Sequence, residues 1–418
     1  MIETSTEKER LITVIAATGD EPEAESNLSE LALLIETGGN EVIAELIQKR
    51  EAAHPVHYLG KGKLEELKAL VEQTSADAVV TDDELKASQR IAMEKALGVR
   101  VLDRTLVILD IFAKRASTAE GKVQVELAQY RHRLSHLTGL GTSLSRLGGG
   151  IGTRGPGEKK LETDRRHIRS RIAQLNLELK DIQTRNTILR DNRNRTGLPV
   201  ISMVGYTNAG KSTLMNVLTG AGVLTEDKLF ATLDTTTRAV SLPGGGEALC
   251  IDTVGFIKKL PHQLIQAFRA TLDELRFSDI LLHVVDASNS DRENQMKVVY
   301  KTLDILGCRS KTIITVFNKA DLPVSYPLPT DAAANSSVHV SALSGENISL
   351  LLQQIEKTLQ EARKKTTLLI PFSEGRWVRQ IHDHCEIISE DHKAEGTLIT
   401  AYMDKQLAGR LQEYAVDR

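Results

Sequence analysis

The sequence predicts an α/β chain in four parts: a small N-terminal parallel α/β domain, an antiparallel helical hairpin with a glycine-rich tip loop, a larger α/β domain, and a small C-terminal α+β module. Three observations predict it. Over residues 1–116, short β-branched apolar runs alternate with helical patterns. Over residues 117–196 a heptad seam appears, breaks at a run of glycines, and resumes. The string "GYTNAGKS" then stands between a strand pattern and a helix pattern. A chain of 418 residues has room for two or three cores. Its 41% hydrophobic and 26% charged residues are an ordinary globular mixture. No apolar run approaches the roughly 20 residues that span a bilayer. The polar start "MIETSTEKER" argues against a secretory signal. Cys250, Cys308 and Cys385 show no paired spacing, which points to a reduced cytoplasmic compartment. A net charge of -3 excludes a chain basic throughout, so any nucleic-acid surface must be local.

In the first part, "LITVIAAT", "EVIAELI", "DAVVTDD" and "VRVLDRTLVILD" read as strands. "SNLSELALLIETGG", "GKLEELKALVEQ" and "LKASQRIAMEKAL" read as the helices between them. Lys61 and Lys63, set beside glycines at a helix start, are as consistent with an anion contact as with a solvated turn.

The hairpin seam uses Val123, Leu127, Tyr130, Leu134 and Leu137 on one arm. It resumes with Leu161, Ile168, Ile172, Leu175, Leu179, Ile182 and Leu189 on the other. At the helical rise this is a stalk of ~30–45 Å. Its second arm carries an excess of arginine, which favours a polyanion over a plain solvated face. The tip, residues 138–160, reads "TGLGTSLSRLGGGIGTRGPGEKK" and is long for a turn between neighbouring helices. Arg146, Arg154, Lys159 and Lys160 there suit phosphates, and RNA is the expected target. "GIGTRG" within it matches a dinucleotide-binding string, but a helical seam precedes it where a strand is required, so that reading fails.

Residues 197–364 carry the chemistry. Gly205, Tyr206, Thr207, Asn208, Ala209, Gly210, Lys211 and Ser212 form a phosphate loop between the strand "LPVISMV" and the helix "TLMNVLTG". Glycines let backbone N–H groups wrap phosphates, Lys211 supplies charge, and Ser212 offers a hydroxyl to Mg²⁺. Asp252, Thr253, Val254 and Gly255 follow the strand "EALCI"; Asp252 can reach Mg²⁺ through water and the Gly255 N–H a γ-phosphate. Asn318, Lys319, Ala320 and Asp321 follow "TIITVF". Asp321 can accept both N–H groups on one edge of guanine, which adenine lacks. Ser341, Ala342 and Leu343 complete the base pocket. In this order the strings predict a Ras-like P-loop GTPase domain binding GTP and GDP with Mg²⁺.

The first switch falls on "LFATLDTTTR", from Phe230, Ala231, Thr232, Leu233 and Asp234 onward. Thr232, Thr235, Thr236 and Thr237 compete there for Mg²⁺. Phe256 stands where many GTPases place a glutamine, and a phenylalanine cannot orient water by hydrogen bonding. No catalytic side chain is therefore assigned. Asn208 is a candidate K⁺ ligand, and assistance from K⁺ and a partner is expected. The C-terminal part, residues 365–418, reads strand, helix, two strands, helix. His382 and His384 in "HDHC" point to different helix faces and predict no metal site.

Together, "GGGIGTRGPGEKKLETDRR", "GYTNAGKS", "LFATLDTTTR", "DTVGFI" and "NKAD" resemble the HflX family across essentially the whole chain. The resemblance implies a cytoplasmic, ribosome-associated GTPase, with peripheral membrane association as a second location. It also implies binding to the large (50S) ribosomal subunit and its rRNA, and splitting of stalled ribosomes into subunits under stress. It places the Mg²⁺ threonine on Thr232, with Thr236 in reserve, and accepts Phe256. Thr235 departs from the family pattern, which has proline there. A large-subunit assembly factor is the second reading and a protein-only signalling switch the third. A monomer is expected.

Overall fold

The computed structural model describes residues 8–17, 21–144, 156–194, 198–220, 229–230, 236–259, 272–323, 328–362, 364–403 and 405–416. A four-stranded parallel sheet opens the chain. It comprises β1 (Arg10–Ala17), β2 (Glu41–Lys49), β3 (Ala78–Thr81) and β4 (Arg100–Asp103) in the order β2-β1-β3-β4. Helices α1 (Glu21–Thr37), α2 (Lys61–Thr74), α3 (Ala87–Leu97) and α4 (Arg104–Arg115) make the crossovers. β1 is buried at all but its first residue, as a parallel strand covered on both faces must be. Lys63 is held by Glu66 at 2.9 Å on the exposed first turn of α2.

One expected strand divides. "VRVLDRTLVILD" is strand only through Asp103, and from Arg104 it is helix. Asp103 Oδ1 accepts the Leu106 N–H at 3.0 Å and so caps α4. An aspartate at this place satisfies an otherwise orphaned donor and starts a helix in an apolar run that also suits a strand.

The hairpin pairs α5 (Ala119–Leu144) with α6 (Pro156–Asn194). Both helices enter the segment 138–160 expected as loop, and residues 145–155 of it lie outside the described residues. The 39 residues of α6 give a length of about 58 Å, longer than the spacing argument allowed. On α6 the seam residues Leu161, Ile168, Ile172, Leu175, Leu179 and Ile182 are shielded, Leu175 fully. Arg165 donates to the Leu137 carbonyl at 2.8 Å and Arg171 pairs with Glu126, tying the arms, while Arg166 and Arg169 remain exposed. The first arm is more deeply placed than a two-helix stalk requires. Its second face, with Val125, Ala128, His132 and His136, is buried too, and α5 packs against α3 and α4.

The third unit is a six-stranded sheet of order β10-β9-β8-β5-β7-β6, parallel except for β6. Its strands are β5 (Val200–Gly205), β6 (Thr236–Ser241), β7 (Glu247–Asp252), β8 (Ile280–Asp286), β9 (Thr312–Asn318) and β10 (Ser336–His339). Helices α7 (Lys211–Thr219), α8 (Arg292–Ile305) and α9 (Ile348–Ala362) accompany it. The chain leaves β5 toward β7 on one side while β8 pairs on the other, so the β5 exit is a topological switch point where ligands bind. The last unit is a three-stranded antiparallel sheet, β11 (Lys364–Ile370), β12 (Glu386–Lys393) and β13 (Gly396–Met403) in the order β11-β13-β12. Helices α10 (Gly375–His384) and α11 (Lys405–Arg410) complete it. His382 pairs with Glu390 at 2.8 Å. No helix among the described residues is long and apolar enough to cross a membrane.

Candidate nucleotide site

The switch-point loop is shaped by two glycines. A Cβ on Gly205 would lie 2.2 Å from the Val284 carbonyl oxygen, and one on Gly210 2.2 Å from Asn318 Nδ2. Gly210 also holds φ at +89°, a backbone region costly for other residues. Asn318 fills the space so left. It donates to the Ala209 carbonyl at 2.9 Å and accepts the Ala342 N–H at 2.9 Å, joining the phosphate loop to both base-recognition strings. Ser341 Oγ donates to Asp321 at 2.5 Å, and Lys319 pairs with Asp286 at 2.8 Å. Asp321 is exposed and Leu343 is 84% exposed, so this edge opens outward.

The "DTVGF" string is zipped onto the loop. The Thr207 N–H donates to the Phe256 carbonyl at 2.8 Å, and the Phe256 N–H to the Gly205 carbonyl at 3.0 Å. Ser212 Oγ donates to Asp252 at 2.6 Å, and Thr253 Oγ1 to the Met203 carbonyl at 2.6 Å. Gly255 is crowded: a Cβ there would meet Lys211 Nζ and Thr207 at 2.9 Å. The Phe256 side chain is buried in an apolar cluster with Tyr206, Phe230 and Val254.

That cluster continues into the N-terminal domain through Ile108 and Phe112. Phe112 meets Phe230 edge-on, with ring centroids 4.6 Å apart, a contact worth about 0.5–1.5 kcal/mol beyond area burial. Polar contacts line the same seam. Tyr206 Oη accepts the Lys258 N–H at 2.8 Å and donates to Glu30 of α1. Glu30 also pairs with Arg104, whose guanidinium donates to Asp82 at 2.7 Å. Lys259 closes the set on Asp82 at 2.5 Å and Asp83 at 2.6 Å. The phosphate loop and the segment after "DTVG" are thus clasped by the N-terminal domain.

Three family models match consecutive stretches. They are a GTP-binding GTPase N-terminal region at 25–113, a GTP-binding GTPase middle region at 115–193, and a 50S ribosome-binding GTPase at 200–319. A "GTPase HflX" from Lacrimispora saccharolytica is 48% identical over 415 residues, covering 99% of this chain and 98% of its own. The chain belongs to the HflX family of GTPases. A "GTPase HflX" of Escherichia coli K12 is 41% identical over 84% of this chain and 83% of its own. A solved GTP-binding protein from Sulfolobus solfataricus, in complex with GDP, aligns over 84% of this chain and 99% of its own, at 24% identity and a TM-score of 0.45.

As an HflX-family enzyme the chain hydrolyses GTP to GDP and phosphate. Lys211 is buried, its ammonium donating to the carbonyls of Tyr206 at 2.8 Å and Gly205 at 3.2 Å. Burial brings its pKa down to about 8, with Asp252 acting in the opposite direction. A consequence for binding follows. Phosphates favour the charged amine, so above pH 8 binding takes up a proton. GDP affinity should therefore be flat below pH 7.5 and fall by up to about tenfold per pH unit above 8.5. Fluorescence titration across pH 7–9.5 checks this, with Lys211→Met giving a flat profile.

Among the HflX-family site residues expected from sequence, Gly205 to Ser212, Asp252 to Gly255, Asn318 to Asp321 and Ser341 to Leu343 are described and linked at this edge by the hydrogen bonds above, while Phe230 is buried against Phe112 instead. Ala231, Thr232, Leu233, Asp234 and Thr235 lie outside the described residues, as do Arg146 and Arg154. Thr236 and Thr237 belong to β6, and Lys159 and Lys160 to the first turns of α6. Sequence reasoning did not reach Glu30, Asp82, Asp83 or Arg104. The one local signal was an arginine inside the apolar run "VLDRTLVILD".

Proposed function

We propose that this HflX-family GTPase binds the large ribosomal subunit, contacts rRNA through its hairpin, and splits stalled ribosomes in a cycle driven by GTP. The observation that carries the reading is Tyr206. Its hydroxyl joins the phosphate loop, the backbone after "DTVG" at Lys258, and Glu30 of the N-terminal domain. Nucleotide state can thereby be felt by the domain on which α5 is packed. The match of residues 200–319 to a 50S ribosome-binding GTPase and the exposed Arg166 and Arg169 support the partner. Only a difference in ribosome affinity between the GTP and GDP forms can drive such a cycle.

In this reading Gly205 to Ser212 hold the phosphates, Asp321 with Ser341 to Leu343 reads guanine, and Asp252 to Gly255 senses the third phosphate. Mg²⁺ fits the residues present: Ser212 Oγ and Asp252, 2.6 Å apart beside the loop, are hard oxygen donors. Ser212 and Thr232 would ligate it directly and Asp252 through water; when bound it neutralises phosphate charge. Phe256, buried in the cluster, supplies no water-orienting group, so acceleration by a partner is part of the proposal. K⁺ is assigned to the exposed Asn208, which holds a φ of 61°.

The test is GTP-dependent dissociation of intact ribosomes, followed by sedimentation. Replacing Arg146 and Arg154 together with alanine should reduce splitting by about tenfold or more through lost phosphate contacts, with GTP affinity unchanged. Unaltered splitting would remove the tip arginines from the mechanism. Binding confined to immature particles would replace splitting with assembly.

A further inference from the structure

A second cluster of ionisable side chains lies where the first hairpin arm meets the N-terminal domain. His132 and His136 are one turn apart on α5 and so share a face. Their rings lie 4.1 Å apart, and both face Asp103 at the end of β4. The three side chains are 3%, 8% and 1% exposed. Nε2 of His132 is 3.7 Å from Asp103 Oδ2, and Nε2 of His136 is 3.9 Å from the same oxygen. Neither distance is a hydrogen bond. Both Nε2 atoms are buried and have no hydrogen-bond partner. The three potential donor atoms all lie within 4.8 Å of one another.

His136 Nδ1 is 2.9 Å from the His132 carbonyl oxygen, which can only accept, so Nδ1 carries the hydrogen. Its Nε2 then faces Asp103 Oδ2 across 3.9 Å, buried and with no hydrogen bond made. A buried arrangement of this kind costs free energy unless a cation stands at the focus. A ring fixed through Nδ1 on a backbone carbonyl, with Nε2 aimed at a shared centre, is also how imidazoles that ligate metals are held. The opposite carboxylate oxygen, Oδ1, is engaged as the cap of α4, and Oδ2, which also accepts the Leu85 N–H at 3.4 Å, is the oxygen nearest both rings.

We propose that Asp103, His132 and His136 form a binding site for a divalent transition metal of the zinc class, which staples the hairpin to the N-terminal domain. Two imidazoles and one carboxylate suit Zn²⁺ and its first-row neighbours better than Mg²⁺ or Ca²⁺. Tetrahedral bonds of about 2.0–2.1 Å space neighbouring ligand atoms by about 3.3–3.4 Å. The 3.7 and 3.9 Å from the two rings to Asp103 lie within about 0.6 Å of that spacing, and the ligand atoms as a set lie within 4.8 Å, so closing the site calls for a modest side-chain adjustment. Three protein ligands leave a fourth position for water. The angle between stalk and domain, rather than the hydrolysis chemistry, is what such an ion fixes.

The experiment uses the full-length protein, stripped with chelator and saturated with Mg²⁺ and GDP so that the phosphate loop takes no probe metal. Co²⁺ is titrated in and its visible ligand-field bands are recorded, then Zn²⁺ is added. One equivalent of Co²⁺ with the intense bands of a four-coordinate nitrogen and oxygen site is expected, with Zn²⁺ displacing it. Zn²⁺ should raise the thermal midpoint of wild type by a few degrees through preferential binding to the folded state. His132→Gln and His136→Gln, made singly, should each lose the bands and the shift while keeping GDP binding. Identical bands and stoichiometry in the variants, or no bound cobalt in wild type, would overturn the site. If neither variant folds, X-ray absorption of the zinc-loaded wild type decides. Two imidazoles and one carboxylate in the zinc shell sustain the proposal, and any other shell refutes it.

Discussion

Replacing Arg104 with alanine is expected to cost about 3–5 kcal/mol of folding stability, the range for breaking one side of a buried ion pair. Arg104 is 2% exposed, Asp82 is fully buried and Glu30 is 14% exposed, so neither carboxylate can recover hydration without the fold opening. Lys259 still reaches Asp82 and Tyr206 still reaches Glu30, which keeps the loss from being larger. Arg104→Lys should recover only part of the difference, because an ammonium cannot span both carboxylates as a planar guanidinium does. Denaturant unfolding of the three proteins checks the order wild type, lysine, alanine. Equal midpoints for wild type and alanine would mean that the clasp contributes nothing net. Because Glu30 bonds Tyr206, the alanine variant should also change basal GTP turnover.

Asp321→Asn is expected to weaken GTP binding by about 10²–10⁴-fold and to transfer preference to xanthosine triphosphate. The carboxylate accepts one hydrogen from Ser341 and retains acceptor sites for two more, matching the two N–H groups on guanine. An asparagine turns one acceptor into a donor and sets it against the guanine amine. A site built to hydrogen-bond a group discriminates steeply once that match is lost. Xanthine carries a carbonyl where guanine carries the amine, so it should pair with the new amide. Competition titration with both nucleotides checks this, and retained guanine preference would remove Asp321 from base reading.

The phosphate loop and its partner strings were legible because each is a run of consecutive residues whose local geometry carries the chemistry. The parallel sheets were legible from β-branched periodicity. Other features were obscured by competing local signals. The apolar run after Val99 hid a strand-to-helix change that only the cap at Asp103 reveals. Gly139 and Gly141 read as loop, yet α5 continues through them, since a glycine lowers helix stability by about 1 kcal/mol without forbidding a packed helix. The clasp was not legible at all. Glu30, Asp82, Arg104, Tyr206 and Lys259 come from five separate segments, and only tertiary packing brings their charges together. His132 and His136 had a visible four-residue spacing. The heptad seam accounted for one face of α5, and no reading was made of the other.

Phe256, at the position where many GTPases carry a glutamine, is buried in the apolar cluster, and its side chain offers no group that could orient water. The most direct measurement is GTP turnover with and without purified large ribosomal subunits, in potassium and again in sodium. The account predicts slow turnover alone, faster in potassium, and strong stimulation by the subunits. Turnover that the subunits leave unchanged, with GTP binding intact, would contradict it.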